Sequence, residues 1–130
     1  MTDTLQVLVP FWGDPELLYA TVESVKAQTD PRWTMTVVDD CYPDSSVGRH
    51  FAEEDDDRIT YVRNDTNLGF VASINRGLEA CRHHVVILNS DVRVPANWLE
   101  RLMRPIFDDE RVASTTPFSN RATICSFPNL

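Results

Sequence analysis

The chain has 130 residues, 42% hydrophobic and 25% charged, which suits one globular domain around a single core. Its net charge of -8, with Lys26 the only lysine, argues against nucleic acid or an anionic membrane surface as partner. Cys41, Cys81 and Cys125 are odd in number and form no C-x-x-C pair, and no leader or membrane-length apolar run is visible. Free thiols in the cytoplasm are therefore expected, with neither a disulfide framework nor a zinc site.

Leu5 to Val9 reads as a first strand, ended by Pro10, and PFWGDP is a loop. Asp14 can cap the next helix, with Pro15 at its first position and Glu16 at the positive end of its dipole. Leu18, Val22 and Val25 share one face of that helix, which should run to about Gln28, while Thr21 blurs the edge of the face. Thr34 to Val38 is β-branched and reads as a second strand, ending at Asp39 and Asp40. Val47 to Glu53 is a candidate short helix. The five acids from Glu53 to Asp57 are expected to form a solvated, self-repelling loop.

Ile59 to Val62 reads as a third strand. Phe70 to Cys81 follows as a helix with Val71, Ile74 and Leu78 on one face. Asn75 and Gly77 lower its propensity, a local conflict of the kind that marks function. Val85 to Leu88 is an uninterrupted apolar run and suits a central parallel strand buried on both faces. Trp98, Leu99, Leu102 and Met103 set the face of a last helix over Ala96 to Pro105. Arg111 to Thr115 is a candidate further strand, and the tail from Thr116 has no clear period. Strand and helix alternate throughout, which predicts a Rossmann-like α/β fold: a mostly parallel sheet with helices on both faces.

In such a sheet all strands deliver their carboxyl ends to one edge, where ligands bind. Three loops should meet there, 10–14, 39–46 and 89–94, bringing Trp12, Asp39, Asp40, Asn89 and Asp91 together. Asn89, Ser90 and Asp91 could form an ordinary turn, but their oxygens also suit a hard divalent cation. A signalling receiver domain is excluded, because the first strand ends in Pro-Phe-Trp and the only lysine lies in the first helix. No phosphate-binding P-loop or dinucleotide fingerprint is present.

Four blocks in order over about residues 5 to 103 carry a family resemblance: VLVPFWGDPELLYATVESVKAQT, TVVDDCYPDSS, NDTNLGFVASINRGL and VVILNSDVRVPANWLERL. With these, the chain resembles the amino-terminal, donor-nucleotide half of the family 2 inverting glycosyltransferases, whose fold is called GT-A.

The resemblance implies a nucleoside-diphosphate sugar as donor, a saccharide or other hydroxyl acceptor, and magnesium or manganese as cofactor. Pro10, Phe11 and Trp12 match the loop beside the base, where the Trp12 ring could stack. One of Asp39 and Asp40 would accept the base N–H, with Asp40 preferred. Asn67, Gly69 and Asn75 match the third block; Gly69 would permit a close turn, and the asparagines would face either the nucleotide or the local backbone. The family's Asp-x-Asp metal motif appears here as Asn89-Ser90-Asp91, so Asp91 is the expected direct ligand and Asn89 a neutral partner. Ser90 sits between them.

The family's general base lies well beyond the metal motif, and Asp108, Asp109 and Glu110 come too soon to supply it. The chain is therefore expected to be the donor half of a longer or truncated enzyme. Its uncovered edge would invite homodimerisation. The alternative is a noncatalytic nucleotide-binding or assembly module that retains this half-fold.

Overall fold

The computed structural model describes residues 4–118. Four parallel strands lie in the order β3-β2-β1-β4: β1 (Leu5–Phe11), β2 (Trp33–Asp39), β3 (Ile59–Arg63) and β4 (Val85–Ile87). Between and after them run α1 (Pro15–Lys26), α2 (Ser46–Ala52), α3 (Phe70–Glu79) and α4 (Trp98–Asp108). The sheet is thus parallel with helices on both faces, as the alternation predicts.

The two faces are unequal. One carries the main core: Val7, Val9, Phe11, Trp33, Met35 and Val37 from the strands meet Leu18, Val22 and Val25 of α1, Val47 and Phe51 of α2, and Leu99 and Met103 of α4. The other packs Leu8 and Val38 against Ile74 of α3. The period-two alternation of a strand separates the two sets. Gly77 of α3 sits directly over Leu8, and a Cβ added there would come 2.3 Å from one Leu8 methyl carbon and 2.8 Å from the other. The glycine that looked like a functional irregularity thus has a packing cause: it lets α3 approach the central strand.

Four sequence expectations need correction. First, β1 continues through Pro10 to Phe11. In this strand Gln6 and Leu8 bond towards β4, whereas Leu5 and Phe11 bond towards β2. Pro10 belongs to the first set and lies past the end of β4, so its missing N–H removes no ladder bond. Second, β4 is an edge strand, not a central one, and Ile87 is 50% exposed. Its apolar run records burial of Val86 and Leu88 on one face, with Val85 half-buried against the Leu8 cluster and Ile87 open on the other. No further strand covers its outer side among the described residues, and Arg111 to Thr115 is irregular. The expected homodimerisation would rest on this edge.

Third, α4 passes through Pro105 to Asp108. The proline forfeits one helical bond, but burial of Leu99 and Met103, with Leu102 and Ile106 packed against the core, holds the turn together. Fourth, the acidic run is not simply self-repelling. Glu54 accepts from Lys26 at 3.1 Å, and Asp56 takes a bidentate pair from Arg58 at 2.8 and 2.6 Å. The tail beyond residue 118, with Cys125, lies outside the described residues. Among those residues no helix is long and apolar enough to cross a membrane.

Candidate functional site

At the carboxyl edge of the sheet lies a cavity of about 330 Å³. Pro10, Phe11, Trp12, Gly13, Asp14 and Leu17 line it from the β1–α1 connection, Asp40 from the end of β2, Phe70 and Ser73 from α3, and Asn89, Ser90 and Asp91 from the turn after β4. Pieces of four separate connections therefore meet, as parallel strands require.

Each wall has a local cause. Asp14 caps α1 by accepting from the Glu16 N–H at 2.9 Å, which fixes where the Pro10–Asp14 loop turns into the helix. Trp12 is 59% exposed and makes only an edge contact with Tyr42 at 6.3 Å, so a ring face is open to a ligand. Phe70, 58% exposed, presents a second aromatic ring on the opposite connection.

The acidic pair divides by strand alternation. Asp39 turns away from the cavity and is fully buried. It accepts from the Tyr42 N–H at 2.7 Å and the Tyr61 hydroxyl at 2.5 Å, with the Arg63 guanidinium 3.7 Å away. Burial first, then the adjacent Asp39 carboxylate, pushes the Tyr61 phenol far up from its usual value, so it stays a donor. Asp39 is a strut that ties β2 to β3 and to the turn at Cys41, whose φ of 61° lets the chain double back.

Asp40 lines the cavity floor and is the hub of its α3 side. Oδ1 accepts from Asn64 Nδ2 at 2.8 Å and the Leu68 N–H at 2.7 Å, and Oδ2 accepts from the Gly69 N–H at 2.8 Å. The Ser73 side chain, which accepts from Asn64, also favours the charged form of this carboxyl. Burial alone would raise this carboxyl, but the Leu68, Asn64 and Gly69 bonds and the Ser73 side chain outweigh it and hold it below its usual range. A carboxylate has about four acceptor positions, and three are taken by the Asn64, Leu68 and Gly69 bonds from within the protein.

Asn64 is the matching piece: fully buried, it donates to Asp40 and to Ser73 Oγ at 2.9 Å while its own oxygen accepts from Arg76 at 2.5 Å. Gly69, at φ 87°, makes the turn that brings its N–H onto Asp40 and starts α3.

The turn after β4 is held from below by a polar row on α1. Thr21 Oγ1 lies 2.9 Å from the Ser90 carbonyl, and Ser24 Oγ accepts from the Val94 N–H at 3.1 Å. Gln28 donates to the Pro95 carbonyl at 2.7 Å and accepts from the Leu99 N–H at 3.1 Å. Asn89 and Asp91 stay exposed, and their side chains make no hydrogen bond among the described residues.

Of the residues expected at the site, the structure brings together Pro10, Phe11, Trp12, Asp40, Asn89, Ser90 and Asp91 around the cavity, with Gly69 behind it on Asp40. Asp39, Asn67 and Asn75 do not line it; the two asparagines are exposed elsewhere on the loop and on α3. Sequence reading missed Asp14, Leu17, Phe70 and Ser73 in the lining, and Asn64 and Thr21 behind it. For Thr21 a signal existed, since Thr21, Ser24 and Gln28 fall at helical spacing beside an apolar face. Asp108 borders a hollow with Leu5, Asp30 and Arg32 at the amino edge of the sheet, away from the cavity.

No group of three or more His, Cys, Asp or Glu residues forms a protein cage for a metal among the described residues. The donors at the turn are one carboxylate and one amide oxygen, both open. That set suits a hard cation that takes most of its oxygens from a ligand and water.

Comparison with known proteins gives the family. Residues 6–123 match the family described as Glycosyl transferase family 2. A Bacillus subtilis protein named as the teichuronic acid biosynthesis glycosyltransferase TuaG is 29% identical over 118 residues, 88% of this chain and 46% of that protein. An Escherichia coli protein named as the colanic acid biosynthesis glycosyl transferase WcaA is 31% identical over 75 residues, 57% of this chain and 27% of that protein. The chain thus spans less than half the length of these relatives.

Among solved structures, residues 1–349 of Staphylococcus aureus TarS in complex with UDP-GlcNAc superpose with a TM-score of 0.72 at 20% identity, over 82% of this chain and 32% of that one. The mannosyltransferase PcManGT of Pyrobaculum calidifontis, in complex with GDP-Man and Mn2+, gives 0.64 at 26% identity over 71% and 28%. The first likeness shows the fold, and the family match covers nearly the whole chain: this protein belongs to glycosyl transferase family 2.

Proposed function

We propose that the cavity binds a nucleoside-diphosphate sugar together with magnesium or manganese, and that the chain is the donor half of an inverting glycosyltransferase acting on an acceptor hydroxyl. The observation that carries this reading is the meeting of Trp12, Asp40 and the Asn89–Asp91 turn around one cavity at the carboxyl edge of the sheet. The nucleotide complexes of TarS and PcManGT, and the Mn2+ in the latter, support it by family likeness.

In this reading the base lies against Trp12, with Pro10 and Phe11 as the adjoining wall. Asp40 is the member of the acidic pair that faces it. A base N–H needs one of its four acceptor positions, and the three bonds from Asn64, Leu68 and Gly69 leave one for it. Gly69 fixes the loop behind the carboxylate. The diphosphate extends towards the turn after β4, where Asp91 and Asn89 would hold the cation and Ser90 spaces them. The bound cation supplies neutralisation of the charge on the departing diphosphate. Proton removal from the acceptor falls to a group that the described residues do not place at the cavity.

Calorimetry of the chain and of Asp91→Ala, each titrated with uridine, thymidine and guanosine diphosphates at several Mn2+ concentrations, tests the assignment. The variant should lose the metal-dependent part of binding and keep its fold. Unchanged metal dependence in Asp91→Ala would remove Asp91 from the cation site.

A further inference from the structure

We infer that Thr21, a residue of α1 outside the cavity lining, is a positioning residue that sets the height of the cation-binding turn. The inference rests on the metal reading above and adds a residue that acts only through the backbone of that turn.

Thr21 is fully buried, and its Oγ1 lies 2.9 Å from two carbonyl oxygens, those of Leu17 and Ser90. A hydroxyl has one proton to give. The Leu17 carbonyl belongs to the first turns of α1, where a backbone N–H four residues on is its ordinary partner. The Ser90 carbonyl has no other donor among the described residues. The proton therefore does more at Ser90, a half-buried residue whose carbonyl would otherwise lose its tie to the protein.

The place of this bond decides its effect. The segment after β4 is anchored before the turn by the Leu88 N–H on the Leu8 carbonyl at 2.9 Å. It is anchored after the turn by the Val94 N–H on Ser24 Oγ at 3.1 Å. Between those anchors, the Thr21 bond is the tie recorded from the turn to the body of the protein. Ser90 stands between Asn89 and Asp91, so its carbonyl is the pivot of the two side chains that face the cavity. Removing the tie leaves both oxygens present but lets the turn ride up from α1. Metal sites lose affinity when the groups that orient their ligands are lost, by about tenfold or more.

Thr21→Val tests this, because it keeps shape and removes only the hydroxyl. The readout is the Mn2+ concentration that gives half the metal-dependent gain in nucleoside-diphosphate affinity, measured by calorimetry with the unfolding midpoint recorded in parallel. The expected result is a rise of about tenfold in that concentration with metal-free nucleotide binding unchanged. Thr21→Ser, which restores the hydroxyl, should return it to the wild-type value. Phe51→Leu, in the core under α2 and outside the cavity lining, should lower the unfolding midpoint without moving the Mn2+ titration.

An unaltered Mn2+ titration in Thr21→Val would overturn the inference while leaving the metal reading intact. A shift of equal size in Phe51→Leu would also overturn it, since general loosening would then explain both. If the wild-type chain shows no Mn2+ dependence at all, the metal reading fails and takes this inference with it.

Discussion

Asp40→Asn is the substitution with the most to say about how this site is built. In the native chain the carboxylate accepts from Asn64, the Leu68 N–H and the Gly69 N–H at 2.7–2.8 Å, and Ser73 also favours its charged form. An asparagine of the same shape keeps one oxygen and turns the other into a donor. If its oxygen takes the Oδ1 place, the Gly69 N–H faces an NH₂ group. If it takes the Oδ2 place, the Leu68 N–H does. Ser73 can rotate to accept, but a backbone amide cannot.

At least one backbone donor near the floor of the cavity is therefore left without a partner, at roughly 1–3 kcal/mol. The surviving bonds also lose their charge assistance. The expected loss is about 2–4 kcal/mol. With a urea dependence of about 1–3 kcal/mol/M for a domain of this size, the midpoint should fall by about 1–2 M. Urea titration followed by tryptophan fluorescence measures it, with Asp91→Ala as the control. Asp91 is exposed and makes no bond among the described residues, so its removal should move the midpoint by less than about 0.3 M. A shift that small for Asp40→Asn would show that the carboxylate is not the hub described here.

Three further outcomes follow from other parts of the structure. Gly77→Ala gains about 1 kcal/mol in helix propensity but drives a Cβ to 2.3 Å from a buried Leu8 methyl, and overpacking of about 1–3 kcal/mol should win, giving a lower urea midpoint. Cys41→Gly relieves a left-handed backbone at φ 61° and should raise stability by about 0.5–1 kcal/mol, read from the same titration. Asp40, Asp30 and Asp56 are all held below their usual range, the last two at about 2, by the partners that bond them. Depressed carboxyls stabilise the fold above their unfolded value near 4 and lose that contribution as pH falls towards 2, so the thermal midpoint should be flat above about pH 5 and drop below pH 4.

Much of this was legible from local pattern. The period of the apolar residues, the Asp14-Pro15 start and the β-branched runs placed every helix and strand of the sheet to within a few residues. What stayed hidden depends on neighbours that sequence does not name. A run such as Val85–Leu88 reads the same at the centre of a sheet as at an edge backed by one core. Pro10 stays inside its strand because β4 happens to stop short of it. At the cavity, Trp12, Asp40 and Asp91 were named because an aromatic ring and carboxylates after strand ends announce their chemistry. The residues that hold them were not: Asn64 and Thr21 act through partners 24 and 69 positions away. The division of labour between Asp39 and Asp40 also needed the pleat, which turns one onto Tyr61 and the other onto the cavity floor.

The reading proposed above makes the carboxyl edge of this sheet a donor-nucleotide site. Calorimetric titration of the unaltered chain with uridine, thymidine and guanosine diphosphates, with and without Mn2+, tests it most directly. Saturable binding of at least one of the three, tighter when Mn2+ is present, is the expected result. No binding of any of them, with the metal or without it, would contradict it.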